Sequence, residues 1–182
     1  VETDSVPDDT IAAARDVRRA GSTIKKGDID FSLLTDGLEA EREQGITIDV
    51  AYRSMHLRNG RRLIIADAPG HEQYTRNMVT AASSADAAVV LVDATKVDWQ
   101  SADLALLPQT RRHSLLLKLL RVPTIIFAIN KLDAVEQPEV AFQHIAQALQ
   151  RFADEAAIDI HAMVPMSALK GWNVVSTLPD WC

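Results

Sequence analysis

Cysteine is all but missing from this chain: Cys182 is the only one. A single thiol cannot form an internal disulfide, so a reducing, cytosolic (cytoplasmic) setting is expected. No apolar run approaches the ~20 residues a membrane-spanning helix needs. The first residues, Val1-Glu2-Thr3-Asp4, have neither the basic start nor the apolar stretch of a secretion signal. Internal repeats and low-complexity tracts are lacking too. Positive charge is in deficit, with 19 Lys and Arg against 25 Asp and Glu and a net charge of −6. That sign does not suit a phosphate backbone, so no nucleic acid is expected as a partner, and without a spanning run no membrane is expected either. The chain opens on Val1 rather than Met, and its last run, Leu178-Pro179-Asp180-Trp181-Cys182, closes no element. A piece of a longer protein is expected. What is present is 182 residues, 47% hydrophobic and 24% charged, enough for one core and too few for two ordinary domains. A single domain over 1–182 is expected.

Residues 8–20, Ala- and Arg-rich behind Asp8 and Asp9, predict a helix whose first amides an aspartate can satisfy. Gly21 to Gly27 reads as a basic connection, and 29–43, with Phe31, Leu33, Leu34 and Leu38, as a rough helical face. The period then drops to two. Ile46, Ile48, Val50 and Tyr52 alternate with Thr47, Asp49, Ala51 and Arg53, a strand pattern. Asn59-Gly60 signals a hairpin, and 61–67 is its return strand. Helices and apolar runs alternate beyond it: helix 72–82, strand 87–93, helix 111–120, strand 124–130, helix 138–153 and a short strand 161–165. The helix 138–153 is amphipathic through Val140, Phe142, Ile145, Ala148, Leu149 and Phe152. This alternation predicts an α/β fold: a mostly parallel sheet with one antiparallel hairpin edge and helices on both faces. Residues 95–108, with Asp98, Trp99 and Pro108, form a long connection.

In such sheets ligands bind at the carboxyl ends of the strands. Strand 124–130 runs into Asn130-Lys131-Leu132-Asp133. A carboxylate at Asp133 can accept two parallel hydrogen bonds. Guanine offers that pair, N1–H and the 2-amino group, and adenine does not; a buried carboxylate left unpaired would reject adenine. The Lys131 stem can lie along a purine face. The same letters also make an ordinary turn after a strand. Strand 61–67 runs into Asp67-Ala68-Pro69-Gly70-His71. There Asp67 can hold a Mg²⁺-bound water, the Gly70 amide can approach a terminal phosphate, and His71 can orient an attacking water. Asp, Pro and Gly are equally what turns are made of. Thr47 can ligate Mg²⁺ and sense a γ-phosphate, or be a β-favouring residue on an exposed face. Ser167-Ala168-Leu169 can offer a backbone amide to a guanine carbonyl, or simply begin a helix. Each cluster ends its own element, and their order favours the functional reading over chance. His56, His113, His144 and His161 lack partners at metal-ligand spacing and are expected as surface or packing residues.

The run Asp36 to Arg53, centred on Glu41-Arg42-Glu43-Gln44-Gly45-Ile46-Thr47-Ile48-Asp49, resembles the switch region of the translation-factor branch of GTPases. More narrowly, it is similar to the GTPase subunits of bacterial ATP sulfurylases. Ala68 to Met78 and Gln109-Thr110-Arg111-Arg112-His113-Ser114 point the same way, and the resemblance covers nearly the whole chain. It implies a P-loop-type GTPase domain that takes GTP as substrate and Mg²⁺ as cofactor. Its turnover would drive synthesis of adenosine 5′-phosphosulfate from ATP and sulfate in sulfate assimilation. Adenylyl transfer would belong to a separate catalytic adenylyltransferase subunit, and several relatives are fused to a kinase for the product. The resemblance implies Thr47 and Asp67 as metal ligands and His71 as the catalytic residue. It implies nucleotide contacts from Asp67, Ala68, Pro69, Gly70, His71, Asn130, Lys131, Leu132, Asp133, Ser167, Ala168 and Leu169.

The sequence departs from that pattern in places. No G-x-x-x-x-G-K-[ST] loop occurs in it; Gly21-Ser22-Thr23-Ile24-Lys25-Lys26-Gly27 has glycine and lysine at the wrong spacing. In the family this loop lies shortly before the point where Val1 begins, so the domain is expected to lack its first strand and loop. Without the amide cradle and the phosphate lysine, weak nucleotide binding or none is expected of the isolated chain. Ala68 stands where the family leads one to expect Thr. The stretch 95–108 is longer than expected, and Trp99 there serves either a partner or the loop's own packing. Two other readings stand beside this one: a non-hydrolysing scaffold for a partner subunit, and a translation factor. The acidic charge and the runs Tyr74-Thr75-Arg76 and Thr110-Arg111-Arg112-His113 favour sulfate assimilation by resemblance.

Overall fold

The computed structural model describes residues 46–57 and 59–175. The helix expected over 8–20, the connection 21–27, the helical face 29–43 and the run 178–182 lie outside the described residues. The chain divides between Ala81 and Ala82 into two compact units.

In the first unit β1 (Ala51–His56) and β2 (Arg62–Asp67) pair antiparallel. The alternating pattern starts at Ile46, but the ladder starts at Ala51, opposite Asp67, because β2 ends there. A strand extends only as far as it has a partner to bond. The Asn59-Gly60 signal closes the hairpin. The Leu57 N–H donates to the Arg61 carbonyl at 2.8 Å and the Gly60 N–H to the Leu57 carbonyl at 2.9 Å. Gly60 has φ +79°, the left-handed position that a bulged hairpin loop requires and that a side chain would strain. Asn59 Oδ1 accepts from the Arg61 N–H at 3.1 Å. Leu63, Ile64 and Ile65 of β2 stay exposed. After β2, Glu72–Tyr74 make one 3-10 turn and Thr75–Ala82 form α1.

In the second unit β3 (Ala87–Asp93), β4 (Thr124–Asn130) and β5 (Ala162–Pro165) form a parallel sheet in chain order. They are joined by α2 (Pro108–Leu119) and α3 (Pro138–Ala156). β3 and β4 have the bounds read from their apolar runs. α2 begins earlier than Arg111, because Pro108 sits in its first turn, where a missing N–H costs nothing and a fixed φ helps. The core gathers Val92, Phe127, Ile129, Leu132, Ile145 and Leu149, all fully buried. α3 buries Ala141, Ile145, Ala148, Leu149, Phe152 and Ala153, the spacing of one helical face. On β3, Val90 and Val92 are buried while Val89 and Leu91 are exposed.

The two helices end alike. Val122 and Arg121 donate to the Leu117 and Lys118 carbonyls; Ile158 and Ala157 donate to those of Ala153 and Asp154. This paired-bond ending needs one left-handed residue, here Arg121 at φ 59° and Ala157 at φ 50°. Lys118 Nζ donates to the Ala156 carbonyl at the end of α3. The long connection is anchored rather than loose: Val97 and Leu106 are buried, and His144 Nδ1 lies 2.9 Å from the Trp99 carbonyl oxygen. His144 therefore holds a loop.

Candidate functional site

β4 ends on Asn130 and the chain turns at once, with Lys131 in left-handed backbone at φ 64°, ψ 28°. Such a residue carries about 1–2 kcal/mol of strain and persists only where its surroundings dictate the conformation. Asn130 supplies that constraint. Its Oδ1 accepts from the Lys131 N–H at 2.7 Å and from the Ala168 N–H at 3.0 Å. One side chain thus ties the turn after β4 to the turn after β5. The Met166 N–H donates to the Ile129 carbonyl at 2.9 Å, and the Leu132 N–H to the Met166 carbonyl at 3.4 Å, completing the join.

Leu132 is fully buried and begins the 3-10 turn Leu132–Ala134. Asp133 stands beside it, half-buried, and its carboxylate has no hydrogen-bond partner among the described residues. The second turn is held from below. Ser167 is fully buried, its Oγ accepts from the Lys170 N–H at 3.0 Å, and its own N–H donates to the Trp172 carbonyl at 3.2 Å. Asn173 Nδ2 donates to the Pro165 carbonyl at 2.8 Å. With the Ser167 and Ala168 amides so engaged, the Leu169 amide is the one without a hydrogen bond among the described residues.

The remaining candidates belong to the first unit. Asp67 ends β2 and is half-buried, as is Ala68; Pro69 is buried, and Gly70 and His71 are exposed. Burial of Pro69 anchors the turn and leaves the two following residues at the surface. His71 precedes the 3-10 turn with extended backbone, its carbonyl accepts from the Tyr74 N–H at 3.0 Å, and its side chain makes no cap. Thr47 is half-buried. The next residue is fixed by Asn77, whose Nδ2 donates to the Ile48 carbonyl at 2.8 Å.

Thr47 and Asp67 offer hydroxyl and carboxylate oxygens, the hard donors that Mg²⁺ takes. Among the described residues no group of three His, Cys, Asp or Glu forms a metal site by itself. An ion there would need further oxygens from phosphate and water, as Mg²⁺ commonly does, so this donor set fits it.

One residue beside the Asn130–Asp133 turn is absent from the candidates drawn from the sequence. Asp93 ends β3 directly opposite Asn130 in the ladder. Its Oδ2 lies 2.6 Å from Lys131 Nζ, and its Oδ1 accepts from the Thr95 N–H at 3.0 Å and the Thr95 hydroxyl at 2.6 Å. Partial burial pushes the Asp93 carboxyl up. The hydrogen bonds from Lys131 and Thr95, with the Lys131 charge, outweigh that and hold it below the usual carboxylate range. An acidic residue at the end of an apolar run is the same signal that marks Asp67.

Residues 8–180 match the family described as the elongation factor Tu GTP binding domain. The sequence is 50% identical over 169 residues to sulfate adenylyltransferase subunit 1 of Sulfurovum sp. (strain NBC37-1), covering 92% of this chain and 33% of that one. It is 47% identical over 176 residues to the bifunctional enzyme NodQ of Rhizobium sp. (strain N33), covering 96% and 26%. The chain thus spans about a third or less of these curated relatives. The crystal structure of the bacterial selenocysteine-specific elongation factor EF-Sec matches with a TM-score of 0.64 at 26% identity, over 77% of this chain and 22% of that one. Elongation factor SelB from Methanococcus maripaludis, in complex with the GTP analogue GppNHp, gives 0.53 at 26% identity, over 70% and 26%. No helix among the described residues is long and apolar enough to cross a membrane.

Proposed function

The chain belongs to the elongation factor Tu GTP-binding domain family, and from that premise we propose that it is the GTP-binding and GTP-hydrolysing domain of a sulfate-activating enzyme. The observation that carries the nucleotide assignment is the double acceptor role of Asn130, which holds the Lys131–Asp133 turn and the Ser167–Leu169 turn on one anchor. Asp133 then accepts the guanine N1–H and 2-amino group, Lys131 lies along the ring, and the Leu169 amide meets the base carbonyl. Sulfate activation rests on the relatives: identities of 50% and 47% to proteins so named or bifunctional, against 26% to the elongation factors. A relative named as a subunit points to a catalytic adenylyltransferase subunit as partner.

Hydrolysis is transfer of the terminal phosphoryl group to water. His71, exposed and with no side-chain hydrogen bond among the described residues, orients that water. Gly70, with no side chain, lets its amide approach the terminal phosphate. Thr47 and Asp67 are the ligands for Mg²⁺, which when bound neutralises charge on the phosphates. Turnover further requires a phosphate-binding loop, and the 182 residues contain no G-x-x-x-x-G-K-[ST] run. The rival reading is a scaffold that does not hydrolyse GTP. Phosphate release by the full-length protein separates the two, since a scaffold releases none.

The test of the nucleotide assignment is Asp133→Asn in the full-length protein. The change swaps one acceptor for a donor, matching the 2-oxo group of xanthine in place of the 2-amino group of guanine. Preference for GTP over xanthosine triphosphate is expected to shift by roughly a hundredfold or more toward the latter. An unchanged ratio of kcat/KM removes Asp133 from the site.

A further inference from the structure

We propose that Asp93 is a positioning residue of the guanine site, holding the Lys131 ammonium so that the lysine stem is set in place before a purine ring stacks on it. The proposal rests on the guanine-site reading above and deepens it.

The parallel register brings Asp93 and Asn130 side by side at the ends of β3 and β4. Lys131 is consequently held at both ends: its N–H by Asn130 Oδ1 at 2.7 Å and its ammonium by Asp93 Oδ2 at 2.6 Å. Thr95 occupies the other carboxylate oxygen twice, through its N–H and its hydroxyl. That fixes the carboxylate's rotation and directs Oδ2 at the lysine. The Lys131 side chain is 54% exposed and that of Asp93 24%. An ion pair so open to water adds little to stability, so its consequence lies elsewhere. A free lysine samples many rotamers, and one already ordered loses less entropy when a ligand lies on it. The methylenes between the two fixed ends are the apolar surface that a flat base covers.

The experiment uses the full-length protein and a fluorescent guanine nucleotide, mant-GDP, with binding and release followed by fluorescence. Asp93→Asn is nearly isosteric and keeps an oxygen for Thr95 while losing the charge. It is expected to weaken mant-GDP binding about five- to tenfold, mainly through faster release. Asp93→Glu, which keeps the charge within reach of a long side chain, is expected to recover most of that loss. In a Lys131→Met background Asp93→Asn is expected to change affinity less than twofold. A loss within twofold for Asp93→Asn alone overturns the proposal. So does an equal loss in the Lys131→Met background, which marks a merely structural role, or a glutamate no better than asparagine. Should Asp93→Asn not fold, Asp93→Ser, which removes the charge, closes the same cycle in the Lys131 and Lys131→Met backgrounds, and equal losses again overturn the proposal. Asp133→Asn keeps the two claims apart. If that variant leaves guanine preference intact, the site reading falls and takes the proposal with it; if preference shifts while the Asp93 cycle is additive, only the proposal falls.

Discussion

The Asn130 side-chain oxygen receives two backbone N–H groups from two different turns. Removing it leaves both donors without their acceptor and leaves Lys131 to hold left-handed backbone unaided. Loss of such a bond costs about 1–3 kcal/mol when the group is buried. Asn130 is half-buried, so Asn130→Ala is expected to destabilise by about 1 kcal/mol, read from the urea midpoint, and to weaken guanine nucleotide binding as well. His71 presents the opposite profile. No hydrogen bond from its side chain supports the fold among the described residues. In the full-length protein His71→Ala is expected to slow single-turnover hydrolysis by roughly a hundredfold while leaving the urea midpoint where it was. If turnover survives, the water is oriented by another group.

At the scale of elements, α2 and α3 both stop on a side-chain-bearing residue in left-handed backbone, Arg121 and Ala157. Glycine adopts that conformation without the Cβ clash. Each of Arg121→Gly and Ala157→Gly is therefore expected to stabilise the protein by about 0.5–1 kcal/mol, seen as a higher urea midpoint at unchanged slope. These endings were not legible in the sequence, because neither helix is followed by Gly at the turning position. The starts of elements show the same limit. Pro108 falls in the connection read from the sequence yet opens α2, and the alternation from Ile46 gives no sign that the ladder waits for Ala51. The apolar runs 87–93 and 124–130 were legible in full, because their seven-residue length, β-branched content and polar turn boundaries together favour a buried strand over a helix. For the same reason Asn130, Asp133 and Ser167 stood out as polar residues at strand ends. Asp93 carries the same signal at the end of its apolar run, but its role comes from the register that sets it opposite Asn130, and the sequence of one strand does not contain its neighbour.

At the scale of the molecule, two shifted groups among the described residues shape the response of stability to pH, and they act in different windows. Burial, reinforced by the Arg112 charge, pushes the His113 imidazole below its ordinary value. The unfolded chain then binds the His113 proton more readily than the folded one. Stability from this group is full above the ordinary histidine pKa, about 6.5, and drains away as pH falls through that value toward the folded one. Asp93 is depressed as well, but its stabilisation is complete above the ordinary aspartate pKa, about 3.9, and is lost only in stronger acid. Between pH 7.5 and 5.5 the histidine governs. A chain of net charge −6 also loses self-repulsion as it is acidified, which works in the opposite direction. That term is spread over the surface and screened by salt. At about 0.15 M salt the urea midpoint is therefore expected to be lower at pH 5.5 than at pH 7.5. His113→Gln removes the titrating group while keeping a polar side chain at a half-buried position on α2, and its midpoint is expected to fall less over the same interval. A parent protein whose midpoint rises on acidification, or a variant that falls as steeply, would show that His113 does not set the response.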